Sequence, residues 1–187
     1  LFREGPLRGL MPTPVRTLPI ALDREAFLKT LVCQLGRVLE DVVGLEQAEG
    51  LVSMVGKHIG LQLLAEYREK LDGGEMSREI VADMLLDLKT RIKGDFALAS
   101  SSGASLEYTA SACPFAEEVV GHPALCMMTS NVFGTITAEA LGYARVDLEQ
   151  TIARGDGCCR VVVHLNMPDE DEDIGFDSRE YFGEATL

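Results

Sequence analysis

The segment "ARVDLEQTIARGDGCCRVVVHL" (residues 144–165) decides the fold, because it reads as two strands joined by a turn. The run 158–165 alternates in a way that is typical of a strand with one buried face. Cys159 lies on its apolar face together with Val161 and Val163, whereas Cys158 lies on the opposite, mixed face. Residues 154–157 (Arg-Gly-Asp-Gly) suit a hairpin turn. We therefore expect a hairpin that sends Cys159 inward and Cys158 outward.

The rest of the chain predicts an α+β fold, in which N-terminal helices precede a mostly antiparallel sheet with packed helices. Three helices are expected between Asp23 and Lys93, and the first begins at Asp23, a good N-cap residue. Strands are expected over 95–100 and 105–110, followed by a helix that Pro123 opens and Gly142 ends. The second helix carries Gly56 and Gly60, each costing about 1 kcal/mol relative to alanine. Such glycines predict a close approach between helices.

The chain divides by composition into three parts. Residues 1–22 contain four prolines and are interpreted as a flexible arm or linker. Residues 23–167 form the predicted domain, whose helical region at about 23–94 has broad apolar faces suited to a homodimer. Residues 168–187 form an acidic tail, in which Phe176, Tyr181 and Phe182 could dock onto the domain.

Charge and cysteine content limit the classes of function. The formal net charge is −13, which disfavours direct binding to nucleic acid or to an anionic membrane. The sequence has neither an apolar stretch near the roughly 20 residues that span a bilayer nor a signal-peptide pattern. Five cysteines form an odd set. We therefore expect a cytoplasmic protein whose thiols are free or bound to a metal.

Three cysteines are candidate metal ligands from their local sequence. Cys113 precedes Pro114, which stiffens the loop, and its structural and functional interpretations stay open. Cys126 lies in the first turn of the helix opened by Pro123, where backbone amides stabilise a thiolate, although a core role also stays open. Cys159 points inward by strand alternation. His122 is a further candidate four residues before Cys126, or a helix-entry residue.

The segments "CPF" (113–115), "GHPALCMMTSNVFGTI" (121–136) and "LEQTIARGDGCCRVVV" (148–163) resemble the methanogen output domain. That family is related to the 4-vinyl reductase-like domains, and the resemblance covers roughly residues 23–165. The broader family includes ligand-sensing domains of phenol-responsive transcription activators. Those domains bind zinc through a cysteine, a glutamate after 22 intervening residues, and two more cysteines, and in this chain Glu149 follows Cys126 with 22 residues between.

The resemblance implies a zinc site at Cys113, Cys126, Glu149 and Cys159. The chain departs from the pattern where the family's second cysteine falls on Ile152, so Cys113 is the candidate replacement, with Cys158 and His122 as further candidates. Strand parity alone turns Glu149 towards solvent, and a bulge near the strand end would reconcile parity with spacing. Thiolate-rich sites also suit an iron–sulfur cluster, which is the alternative cofactor.

Aromatic and methionine side chains flank the proposed metal region and could line a pocket for a small apolar or aromatic ligand: Tyr108, Phe115, Met127, Met128 and Phe133. The leading hypothesis is a metal-containing sensor or output domain in cytoplasmic signal transduction or transcriptional regulation, which binds and relays without turnover. One alternative is an iron–sulfur or tetrapyrrole-related enzyme or carrier. Another is a dimeric interaction module with a structural metal.

Overall fold

The computed structural model describes residues 15, 18–168, 175 and 177–184. The described elements are four α-helices and five strands, in chain order α1 (Arg24–Val43), α2 (Leu45–Lys70), α3 (Arg78–Arg91), β1 (Phe96–Ser101), β2 (Ser105–Ala110), α4 (Cys126–Leu141), β3 (Tyr143–Gln150), β4 (Cys159–His164) and β5 (Ser178–Phe182). Short 3₁₀ turns cover Ala116–Val119, Pro123–Leu125 and Ile152–Arg154. The predicted α+β fold class is confirmed.

The five strands form one antiparallel sheet in the order β1-β2-β4-β3-β5. The central strand β4 pairs Val161 with Tyr108 of β2 on one side and with Leu148 of β3 on the other. The face that carries these side chains is buried against α4, where Phe133 and Ile136 are fully enclosed. The hairpin therefore supplies the centre of the sheet, as its alternating pattern predicts.

Capping residues and glycines explain how the helices begin and pack. Asp23 Oδ1 accepts the backbone N–H of Ala26 at 2.8 Å and so caps α1, as predicted. A Cβ atom on Gly56 would lie 2.7 Å from Asn131 Cβ, and one on Gly60 would lie 3.0 Å from Thr135 Cβ. Side chains at these two positions would push α2 away from α4, so the predicted close approach is present.

The terminal segments differ from the sequence expectation in one respect. Residues 178–182 form the edge strand β5 on β3, where an acidic tail whose aromatic side chains could dock was expected. The ring of Tyr181 lies over Gly134 of α4, and its hydroxyl is 2.8 Å from Ser130 Oγ. Most of the predicted arm, together with 169–174, 176 and 185–187, lies outside the described residues. None of the described helices combines the length and apolar character needed to cross a membrane.

Candidate metal and ligand site

Three cysteines from three separate segments line one small cavity beneath the start of β4. Cys113 comes from the loop after β2, Cys126 begins α4, and Cys159 begins β4. The cavity has a volume of about 70 Å³, and most of its other lining side chains are apolar. The hairpin and the helix thus bring together three of the four residues predicted as metal ligands. The inward orientation predicted for Cys159 is confirmed.

Each of these thiols is next to a group that can donate a hydrogen bond to sulfur. Burial raises the pKa of Cys113, and the backbone N–H of Phe115 opposes the rise. Burial likewise raises the pKa of Cys159, against the backbone N–H of Ile152. The pKa of Cys126 rises to about 12 through burial and the neighbouring thiols, and the side chain of Thr151 opposes it. Without a metal the three groups are therefore neutral thiols near neutral pH.

Lys89 of α3 lines the same cavity and is only 4% exposed. Its Nζ donates to Thr129 Oγ1 at 2.7 Å and lies 4.7 Å and 5.2 Å from the ring centres of Phe96 and Phe133. Burial lowers the pKa of Lys89 to about 8, and the three cysteines oppose the decrease. The ionisable groups that face this ammonium are thus the three thiols.

Glu149 and Cys158 lie on the other face of the sheet. A β-bulge does occur at Glu149, between the pairs Leu148–Val161 and Gln150–Arg160. The bulge leaves the Glu149 carboxylate exposed, where it forms an ion pair with Arg160, and turns Thr151 inward towards Cys126. Cys158 Sγ lies 3.5 Å from Gln150 Oε1. Glu149 and Cys158 therefore do not line the cavity with the three cysteines.

His122 is engaged by the first helix instead of the cavity. Its Nδ1 lies 2.6 Å from Glu40 Oε2, and Glu40 Oε1 accepts the backbone N–H of Ala124 at 3.0 Å. These contacts attach α1 to the turn that precedes α4. Of the two interpretations of His122, these contacts agree with a residue at the entry to the helix.

The predicted ligand-pocket residues separate into two groups. Phe115 and Met128 line the cavity. Tyr108, Met127 and Phe133 are packed in the hydrophobic core, where the Tyr108 hydroxyl donates to Ala82 O at 3.1 Å. The cavity would have to widen before it could admit an aromatic ring, since a water molecule alone occupies about 30 Å³ in the liquid.

Lys89 and Thr151 are site residues that sequence reasoning missed. Lys89 lies four and eight residues after Leu85 and Val81, both fully buried, so helical spacing already placed it on the inward face of α3. A long charged side chain usually reaches solvent from such a position. Thr151 becomes an inward residue only because of the bulge at Glu149, which an alternating pattern does not reveal.

The donor chemistry of the cavity suits a thiophilic metal. Thiolate sulfur is the usual ligand of structural zinc, and hydrogen-bond donors beside each sulfur stabilise the anionic form. Among the side chains that the structure describes, however, no three His, Cys, Asp or Glu form a group ready to hold a metal ion. The cysteines fit zinc by type and by shared cavity, and the zinc assignment stays a prediction.

The sequence matches the model of methanogen output domain 1 over residues 31–164. The chain belongs to this family. No curated protein matches it. The matched range runs from α1 to the end of β4 and includes all three cavity cysteines, so the methanogen output domain identified from the motifs is confirmed.

A solved structure of similar fold is the phenol-responsive sensory domain of the transcription activator PoxR, crystallised with phenol. The two chains superpose with a TM-score of 0.60 at 20% sequence identity, covering 78% of this chain and 76% of that one. At this identity the similarity establishes a shared fold. The methanogen output domain described here thus shares the fold of that solved domain.

Proposed function

We propose that this methanogen output domain is a small-molecule sensor whose cavity holds a zinc ion on Cys113, Cys126 and Cys159. The observation that carries the proposal is the convergence of these cysteines, with buried Lys89, on one cavity in a fold shared with a phenol-responsive sensory domain. Zinc would keep the three sulfurs deprotonated and leave one coordination position for solvent or a ligand. In this proposal the domain binds a ligand and relays its presence, without turnover.

The cavity wall is in direct contact with the N-terminal helices, which supports a relay role. Leu125 lines the cavity, and a Cβ atom on Gly36 of α1 would lie 2.9 Å from its Cδ2 atom. Met128 also lines the cavity, and its carbonyl oxygen would lie 3.3 Å from a Cβ atom on Gly56 of α2. A change in cavity volume would therefore move side chains against which both helices pack.

The surface of α1 is suited to a second copy of the chain. Apolar residues recur there at alternating spacings of three and four, and each is 43–75% exposed: Leu28, Leu31, Leu35, Val38 and Val42. This is the heptad spacing of a helix-pairing seam. We propose that two α1 helices pair along it in a homodimer, which would place the relay surface at the dimer interface.

Zinc titration of metal-free protein tests the sensor proposal. Zinc is expected to raise the midpoint temperature of unfolding, since a ligand at 100 times its Kd stabilises the folded state by about 2.7 kcal/mol. The control is a Cys113→Ser, Cys126→Ser, Cys159→Ser variant, which should not respond. Equal shifts in the two proteins would contradict the proposed site. Amide exchange around Gly36 should slow on zinc binding, whereas exchange at residues 78–81 of α3 should not.

Light scattering on eluted protein tests the dimer separately. The unmodified chain should have the mass of two copies, and Leu35→Glu should have the mass of one because it places two carboxylates in the seam. Leu61→Glu is the matched control, since Leu61 is exposed on α2 outside the seam. A monomeric unmodified chain, or a dimeric Leu35→Glu variant, would contradict the proposed pairing.

A further inference from the structure

The buried ammonium of Lys89 has no carboxylate partner among the described residues, and this bears on the class of ligand that the cavity accepts. In the part of the chain that the structure describes, no carboxylate lies within ion-pair distance of this ammonium, and its one described hydrogen bond goes to the neutral hydroxyl of Thr129. A buried cation beside neutral groups alone is costly. The nearest groups that can lose a proton and become anionic are the thiols of the three cysteines that share the cavity. Lys89 is therefore positioned to balance negative charge inside the cavity.

Charge arithmetic indicates what the site would accept. A zinc ion with three thiolates carries a single negative charge, and such a site repels a further anion. The ammonium of Lys89 cancels that charge, so an anion at the remaining zinc position would return the site to a single negative charge. A neutral site with a hydrogen-bond donor on one wall thus favours an anion over a neutral apolar ligand.

The size of the cavity narrows the class of ligand further. The cavity of about 70 Å³ must also hold the zinc ion, so the space that remains suits an anion of a few atoms and excludes an aromatic ring. A more open groove of about 430 Å³ shares Ile92, Pro114 and Phe115 with it. The charged residues that line this groove are four cations and one acid, in a chain whose net charge is −13: Arg24, Lys29, Arg91, Lys93 and Glu25. Lys93, Arg91 and Lys29 form ion pairs with Glu25, Asp87 and Glu118, so the groove adds little net positive field and the case for an anion rests on Lys89.

We propose that Lys89 recognises a small anion in the cavity, next to the three-cysteine zinc site. This inference rests on the proposed function, because the zinc ion supplies the second partner of the anion. Lys89 is a specificity-determining residue in this account, and its substitution changes which ligand binds. The sensed molecule is then a small inorganic or carboxylate-type anion, and phenol is a poor ligand because of its size and neutrality.

Azide is a suitable probe, because it is a three-atom anion whose binding to cobalt changes the visible spectrum of a cobalt-substituted thiolate site. Azide titration of the cobalt-loaded unmodified chain should saturate. In Lys89→Met the apparent Kd for azide should rise at least tenfold, and zinc affinity, measured by competition with a chromophoric chelator, should fall about 10- to 100-fold. Lys57→Met is the matched control, since Lys57 is exposed on α2 and its loss changes the net charge equally.

Two further readouts keep the test decisive. Lys89→Arg retains the charge and should retain the azide response, and far-ultraviolet circular dichroism checks that each variant folds. Metal-free Lys89→Met should unfold at the same or a higher temperature than the metal-free unmodified chain, because a buried cation has been removed.

The outcomes separate the two proposals. If the unmodified chain binds neither zinc nor cobalt, the zinc site fails and the anion site fails with it. If it binds metal but Lys89→Met binds azide with unchanged affinity, the anion proposal alone is overturned. A spectral response to phenol without one to azide would also overturn it.

Discussion

Two cations near the start of β4 lie on opposite faces of the sheet and are balanced in different ways. Arg160, on the outer face, forms ion pairs with Glu107, at 2.7 Å, and with Glu149. Lys89, on the helix-covered face, has Thr129 and three cysteines as its polar neighbours. On the outer face, carboxylates balance the charge of Arg160. On the inner face, the charge of Lys89 is balanced only when the thiols are deprotonated. This difference identifies the inner face as the candidate site.

Phe133→Ala should have the largest effect, because it removes the aromatic support of the inner face. Phe133 is fully buried, its ring is 5.3 Å from that of Tyr108, and Lys89 lies over it. The free energy of unfolding should fall by about 3–5 kcal/mol, measured by urea denaturation. Phe182→Ala, at an aromatic pair on the exposed edge strand, is the control and should cost about 1 kcal/mol. Equal losses of unfolding free energy in the two variants would contradict a larger energetic role for the inner face than for the edge strand.

Asp147→Asn is expected to have an intermediate effect on the outer face. Burial opposes ionisation of Asp147, but hydrogen bonds with His164, at 2.8 Å, and Ser178 outweigh it and lower its pKa. Its contribution to stability is therefore complete above the usual aspartate pKa and is lost as the pH falls through the lowered value. Asp147→Asn should cost about 1.5 kcal/mol at pH 7, a typical value for a hydrogen-bonded charged group.

Urea denaturation between pH 2 and pH 7 measures this contribution. The difference between the unmodified chain and Asp147→Asn should shrink towards zero at the acid end. Glu75→Gln is the control, because Glu75 is exposed and lies outside the sheet. A difference that stays constant with pH would contradict the assignment of the effect to ionised Asp147.

Arg160→Gln should have the smallest effect, since its pair with Glu149 is exposed and its pair with Glu107 is only part-buried. The side chain of Arg160 is 41% exposed and that of Glu149 is 39% exposed. Exposed pairs contribute about 0–1 kcal/mol, so the loss should stay within that range and decrease as salt is added. A salt-independent loss above about 2 kcal/mol, measured by urea denaturation at two ionic strengths, would mean that the outer face also depends on its charges.

The fold was predictable because its signals are local and periodic. Asp23 caps the first helix, the alternation around Val161 and Val163 produces the central strand, and Gly56 marks the close helix contact. The edge strand Ser178–Phe182 was missed as an element because it depends on a partner strand and on a gap over Gly134 in distant α4. Contacts between residues that are distant in the sequence leave no periodic pattern from which to predict them.

The site was predictable in part. Strand parity correctly sends Cys159 inward, and the family spacing adds Cys126. Parity and spacing disagree over Glu149, and its placement on the outer face agrees with parity. Lys89 could not be recognised in advance because its role depends on the loop of Cys113, 24 residues further along the chain, folding over it.

The adjacent cysteines 158 and 159 allow the most direct test of the account, because they differ in which face of the sheet they occupy. The measurement is the zinc, iron and acid-labile sulfide content per chain of purified Cys159→Ser and Cys158→Ser, beside the unmodified chain. We predict close to one zinc per chain in the unmodified chain and in Cys158→Ser, with a large loss in Cys159→Ser. A zinc-free unmodified chain, an iron–sulfur signal, or equal zinc in the two variants would contradict a zinc site on the inner face.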